Sequence, residues 1–271
     1  MNYKKTYKPT NGYTPLCQIG QCSLKDLEFG IIELTDGQSL TFETKDREVA
    51  FILLAGKAEF TANGTAYGSV GVRRNVFESP KAECFYAPHD TKVEIYSPWN
   101  VKIAVCATPC MEDSACQVIR QGDVRVARLG VKPWERDTSF IVDGSTNAKK
   151  LTIGEAYITP GMWAGFPPHK HDVDNMPHEG VLEEIYYFLF DPGQGFGIQC
   201  LYTADGEIDE AYRVKSDELV EFPRGYHTTV GAPGYNTYFL WLMAGAHQGF
   251  FRSNDPDHAW VGAVEKMVKK M

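Results

Sequence analysis

Short apolar runs broken by turn residues fill most of the chain. Val49–Leu54, Lys92–Tyr96, Val101–Cys106, Glu155–Ile158, Glu184–Phe190, Gly197–Tyr202, Glu218–Phe222 and Tyr238–Met243 have strand length, and most are rich in Val, Ile, Leu, Phe or Tyr. Ala62-Asn63-Gly64, Asp191-Pro192-Gly193 and Ala204-Asp205-Gly206 are turn sequences between such runs. Many short strands separated in this way predict an all-β sandwich or barrel. Helical spacing is confined to Val261, Val264 and Val268, which predicts one helix over Trp260–Lys270.

The pattern repeats faintly. Glu48-Val-Ala-Phe-Ile-Leu-Leu-Ala-Gly56 is similar to Glu184-Ile-Tyr-Tyr-Phe-Leu-Phe-Asp-Pro192, and Phe85-Tyr-Ala-Pro88-His89 to Glu221-Phe-Pro223-Arg-Gly-Tyr-His227. Glu48 and Glu184 are 136 residues apart, Pro88 and Pro223 135. Two matches at nearly one offset predict a duplicated β-domain. Alternation lapses over Gln117–Asp143, so the expected units are residues 1–130 and 131–271.

Composition narrows the partners. A formal net charge of -8 argues against nucleic acid, which needs clustered Lys and Arg. No run of about 18 apolar residues is present to cross a membrane. The first residues carry lysines without an apolar segment, so they do not read as a secretory signal, and the expected location is cytoplasmic. The seven cysteines are irregularly spaced and read as free thiols. Cys106, Cys110 and Cys116 cluster loosely, but without the CxxC pair of structural zinc sites.

The candidate chemistry lies in the second half. In Pro167-Pro-His169-Lys-His171-Asp172, two histidines stand two residues apart, and such positions on a strand share a face. Glu184 opens the next apolar run after a polar loop, and a hairpin would bring it opposite them. Pro223-Arg-Gly225-Tyr-His227 supplies a third imidazole after a turn. Three imidazoles and one carboxylate suit zinc, manganese, iron or nickel, with positions open to a substrate.

Gly161-x5-Pro167-x-His169-x-His171, followed by Glu184 and Gly195, resembles the first cupin motif, and Pro223-x-Gly225-x-His227 the second. The loop before the glutamate is longer than usual, which leaves Glu183, and less so Glu179, as alternatives. Glu184 is preferred because Ile185 then turns away and Tyr186 shares the inner face. More narrowly, PPHKHD, EEIYYFLFDPGQGFGIQCLYT, FPRGYH, APGY, MAG and DPDHAW, spread over about Leu151 to Val261, resemble the 5-deoxy-glucuronate isomerases of myo-inositol catabolism. That resemblance implies a bicupin of two jelly-roll barrels with a short C-terminal helix. It also implies an aldose–ketose isomerase converting 5-deoxy-D-glucuronate to 2-deoxy-5-keto-D-gluconate. Ala246-His247-Gln248 departs from the family, in which a proline and soon afterwards an arginine are more usual, and the departure bears on the substrate-facing rim.

One complete ligand set, His169, His171, Glu184 and His227, predicts one divalent metal per chain, zinc or manganese, with iron and nickel as alternatives. No HxH precedes Glu48, so the first unit reads as a degenerate, metal-free cupin and Glu48 as a polar strand end. Metal ligands make poor bases, which leaves Tyr186, Gln199 and Tyr202 as candidate catalytic groups. Arg224 is a candidate clamp for a carboxylate. Lys170 and His258 are further candidate substrate contacts, although alternation turns Lys170 toward solvent and His258 is equally a bystander beside an Asp257 helix cap. The expected partner is a small sugar acid, and self-association is left open. Competing readings are a 5-keto-4-deoxyuronate isomerase, a cupin dioxygenase with a largely apolar pocket, and a non-enzymatic sugar-binding cupin.

Overall fold

A computed structural model describes residues 2–270. It is the expected all-β bicupin architecture, two β-sandwiches and one helix, Trp260–Val268, which stops two residues short of the expected end. In the first sandwich a six-stranded sheet orders Gln117–Ile119, Cys84–Ala87, Arg47–Ala55, Val101–Pro109, Glu28–Leu34 and Gly12–Cys17. Its four-stranded partner orders Gln38–Glu43, Lys92–Ser97, Ala58–Ala62 and Thr65–Val70. In the second, a seven-stranded sheet orders Lys4–Thr6, Glu218–Phe222, Leu182–Asp191, Asn236–Gly245, Thr152–Ile158, Arg136–Val142 and Arg125–Leu129. Its five-stranded partner orders Asp209–Lys215, Phe196–Tyr202, Tyr226–Gly231, Trp163–Lys170 and Ser253–Asn254. The chain passes from the first sandwich to the second between Ile119 and Arg125, and Lys4–Thr6 reaches over to the second.

The two larger sheets pack back to back. Along Leu182–Asp191, Ile185 and Tyr187 enter the core between sandwiches, whereas Tyr186 and Phe188 enter the core of their own. Ala50 and Ile52 alternate with Val49 and Phe51 in the same way on Arg47–Ala55. Strands buried on both faces need no polar side, and for that reason these segments read as continuous apolar runs.

Few polar groups lie in this double-buried layer, and the charged ones are paired. Glu48 is 1% exposed rather than a polar strand end. Its carboxylate accepts the Tyr86 hydroxyl and the backbone N–H groups of Lys149, Lys150 and Leu151, at 2.7–2.9 Å. Glu183 returns the tie, accepting the N–H groups of Lys25 and Asp26 at 2.7–2.9 Å. Arg73 of the first sandwich forms a buried ion pair with Glu155 of the second, and Tyr238 donates its hydroxyl to Glu155 at 2.8 Å.

Not every cysteine is free. Cys17 and Cys22 are disulfide-bonded, because a turn closed by Cys22 N–H to the Gln18 carbonyl brings their Cα atoms to 5.3 Å. Cys84, Cys106, Cys110, Cys116 and Cys200 remain thiols, and among the described residues the loose cluster does not converge as a ligand group.

Removing one partner of a buried ion pair strands the other charge. Arg73→Met is therefore expected to lower stability by about 3–5 kcal/mol. Arg73→Met with Glu155→Leu should recover much of that loss. Urea unfolding of the two variants checks this, and equal stabilities for wild type and Arg73→Met would contradict it.

Candidate metal centre and active site

The second sandwich converges on one point. His171 Nε2 and His227 Nε2 each lie 3.0 Å from Glu184 Oε2. Of the expected ligands, these three converge within 4.8 Å. The His169 ring is 4.5 Å from that of His227, centroid to centroid, but its Nε2 faces Arg252 Nη1 at 3.5 Å. All four side chains are buried.

The backbone aims the rings. Each Nδ1 lies beside a carbonyl: His169 at 3.2 Å from Gly165, His171 at 2.5 Å from Leu182 and His227 at 3.3 Å from Gly225. A carbonyl only accepts, so each Nδ1 carries a proton, and in the neutral imidazole each Nε2 is the lone pair that a ligand can take up. The strand register breaks between Ala164 and His169, which lets Gly165 take φ +63° beneath the His169 ring. A Cβ at Gly165 would sit 3.3 Å from His169 Cε1. Gly225, at φ +97°, is held equally closely, since a Cβ there would meet the Tyr202 carbonyl oxygen at 2.6 Å. Its N–H donates to Asp172 Oδ2 at 2.8 Å, so the residue after the HxH segment fixes the turn that carries the third histidine.

Electrostatics match a cation site. Burial pushes the Glu184 carboxyl up, but the imidazoles of His171 and His227 beside it, in their protonated forms, outweigh it and hold it down at about 2. Burial and then the Arg252 charge hold His169 well below the ordinary imidazole range. Buried His227 Nε2 has no hydrogen-bond partner, its approach to Glu184 being off-angle. An orphaned imidazole nitrogen beside an ionised carboxylate fits a divalent metal.

The glutamate alternatives face elsewhere. Glu183 binds the first sandwich, and Glu179 accepts Lys170 Nζ and the N–H groups of Asp172 and Val173. In the first sandwich the matching positions carry no such donors. His169 stands opposite His227, and Phe42 correspondingly opposite Val93. Glu184 stands opposite Phe222, and Val49 correspondingly opposite Ala87. Phe42, Val49 and Val93 are core residues, so the counterpart of Glu48 is Glu183, one position from the Glu184 match of the sequence repeat.

A cavity of about 310 Å³ opens beside the imidazoles, with Tyr186, Phe239 and Trp241 on its wall. Tyr186 is stacked on Phe239, with centroids 4.3 Å apart, and burial followed by the Glu184 charge pushes its hydroxyl well up. The other candidate groups lie off this cavity. The Gln199 amide donates to the Cys200 and Thr228 carbonyls. The Tyr202 hydroxyl donates to Asp255 at 2.5 Å. Lys170 pairs with Asp172 and Glu179 and so organises the loop after His171. Half-buried Arg224 pairs with Asp205 and Glu207. His258 is exposed, and Ala259 is the N-cap of the helix and makes no side-chain capping bond, so Asp257 does not cap it.

The sequence reading missed the cationic wall of the cavity, Arg125, Arg136 and Arg252. Arg136, Thr138 and Phe140 alternate inward on one strand, a period-2 signal within the segment read as a boundary.

The KduI/IolB family model matches residues 3–261. The chain belongs to the KduI/IolB family. Members similar to it include the 5-deoxy-glucuronate isomerase of Geobacillus kaustophilus, 39% identical over 233 residues, 86% of this chain and 84% of that protein. The 5-deoxy-glucuronate isomerase of Bacillus subtilis strain 168 is 36% identical over 237 residues, 87% of each chain. A crystal structure of an IolB-like protein from Salmonella typhimurium LT2 superposes with a TM-score of 0.92 at 30% identity, covering 97% of this chain and all of that one. Oxalate decarboxylase from Lactobacillus farciminis shares the fold at 10% identity, with a TM-score of 0.70 over 100% of this chain and 93% of that one. The chain's architecture is thus that of a bicupin, and its His171, Glu184 and His227 group lies in the second barrel.

Gly165→Ala is expected to cost about 1–2 kcal/mol of stability, because an alanine is forced into the left-handed region. The displaced His169 should also weaken metal binding by about 10–100-fold, as lost ligand support does. Calorimetric titration with Mn²⁺ or Zn²⁺ checks the second effect. Unchanged affinity would show that Gly165 does not set the ring.

Proposed function

We propose that this protein is an aldose–ketose isomerase converting 5-deoxy-D-glucuronate to 2-deoxy-5-keto-D-gluconate, with His169, His171, Glu184 and His227 holding one divalent metal, zinc or manganese. The observation that carries the reading is family membership over nearly the whole chain, combined with convergence of His171, Glu184 and His227 beside a cavity. Relatives named 5-deoxy-glucuronate isomerase supply the substrate.

The reaction moves a proton from the hydroxyl-bearing carbon to the aldehyde carbon and shifts the carbonyl by one position. Its difficult stage is the negative charge that develops on oxygen. A bound divalent cation supplies Lewis acidity for that charge. The protein's own residues orient and protonate. Nδ1–H donation to three carbonyls fixes the imidazoles. Tyr186, held protonated by burial, donates a hydrogen bond to an oxygen in the cavity. Phe239 and Trp241 exclude water from one wall, which strengthens such contacts. The aromatic wall taken alone suits a dioxygenase acting on an aromatic ring, but the arginines lining the same cavity favour an anionic substrate.

Proton NMR of 5-deoxy-D-glucuronate with metal-free and reconstituted protein tests the activity. Conversion should proceed anaerobically and only in the reconstituted sample. Turnover that stops when oxygen is removed would transfer the case to the dioxygenase.

Metal stoichiometry is a separate expectation. Elemental analysis of protein purified without chelator should find about one divalent metal per chain, since Phe42, Val49 and Val93 offer the first barrel no ligands. His171→Ala should lose that metal and keep its circular dichroism spectrum, because the apolar layers rather than the site hold the sheets. A variant that unfolds would make the site structural.

A further inference from the structure

We propose that Arg136 and Arg252 form the receptor for the substrate's carboxylate, so that the sugar acid binds with its anionic end against these guanidinium groups and its carbonyl end toward His171, Glu184 and His227. This rests on the isomerase reading above and adds the orientation of the substrate.

The arginines of this chain are mostly paired. Arg73 has Glu155, Arg47 has Glu28, Arg120 has Glu83, and Arg224 has Asp205 and Glu207. Arg136 and Arg252 differ. Both line the cavity, and among the described residues neither has a carboxylate within ion-pairing distance. Arg136 has no side-chain hydrogen bond among them either, and the one contact of Arg252 is His169 Nε2 at 3.5 Å. Glu184, the carboxylate in the same cavity, is already engaged by His171 and His227.

Two positive charges facing one half-enclosed space cost free energy unless an anion joins them. Burial, and then the neighbouring Arg252 charge, bring Arg136 down to about 10, so it still carries its charge at neutral pH. A planar guanidinium binds a carboxylate through two parallel N–H···O bonds. The fold brings the two together from opposite sides. Arg136 opens the Arg136–Val142 strand, and Arg252 directly precedes Ser253–Asn254, which pairs with His169 and Lys170. The receptor therefore adjoins the ligand-bearing strand, within reach of one small molecule spanning a 310 Å³ cavity.

Arg136→Gln and Arg252→Gln, each in metal-loaded protein, test the assignment. Each should raise the KM for 5-deoxy-D-glucuronate by at least about tenfold, with kcat changed less, as loss of a charge-assisted pair does. A second readout needs no turnover. By calorimetry, wild type should bind 6-hydroxyhexanoate at least about tenfold more tightly than its neutral amide, and each variant should lose that preference. Neither probe has an α-hydroxyl with which to chelate a metal. Arg252 is exposed, so its variant decides the matter if Arg136→Gln fails to fold. A preference retained in a folded variant, or absent from wild type, overturns the proposal. A wild type that prefers the acid but does not isomerise 5-deoxy-D-glucuronate supports the receptor and sinks the isomerase reading.

Discussion

The back-to-back packing of the two large sheets is the constraint on which this molecule depends. It turns the middle strands of both sandwiches into elements with no solvent face, so the residues there are mostly apolar and the charged ones are partnered. Arg73 with Glu155, and the carboxylates of Glu48 and Glu183 on backbone N–H groups, meet that condition. The carboxylates also act reciprocally, each sandwich gripping the segment that leads into an inner strand of the other. The two halves are thereby held in one orientation by directional bonds as well as by apolar area.

The same strands carry the candidate site on their other face. Glu183 and Glu184 are adjacent in the chain and opposite in role: one closes the interface, the next meets two imidazoles. A shift of one residue in register would exchange them, so the apolar alternation that fixes the strand also fixes the site. The first sandwich has the same scaffold with Phe42, Val49 and Val93 facing inward. Its interior is filled by side chains, whereas that of the second keeps a cavity lined by arginines and aromatics.

Much of this was legible in the residues. The strand-rich plan, the duplication, the HxH segment and the late histidine all rest on local signals, namely period-2 alternation and turn chemistry. Alternation also distinguished Glu184 from Glu183, because Tyr186 and Ile185 had to part to opposite faces. The misses share one cause, which is that they depend on distant pairings. Arg136 and Arg252 are far from the histidines in sequence and meet them only through strand order. Gln199, Tyr202, Lys170 and Arg224 are near the motifs, yet each is engaged by neighbours that proximity in sequence does not reveal. The Cys17–Cys22 bond went unread because an odd count in irregular spacing masks a single local pair.

Lys4–Thr6 lies beside Glu218–Phe222, with Lys4 opposite Val220, although the residues that follow it build the other sandwich. During synthesis this strand emerges more than two hundred residues before its partner. The first sandwich has its own core and can close meanwhile, while Lys4–Thr6 waits unpaired. Its late docking covers the edge of the seven-stranded sheet and links the order of translation to the sealing of the second barrel.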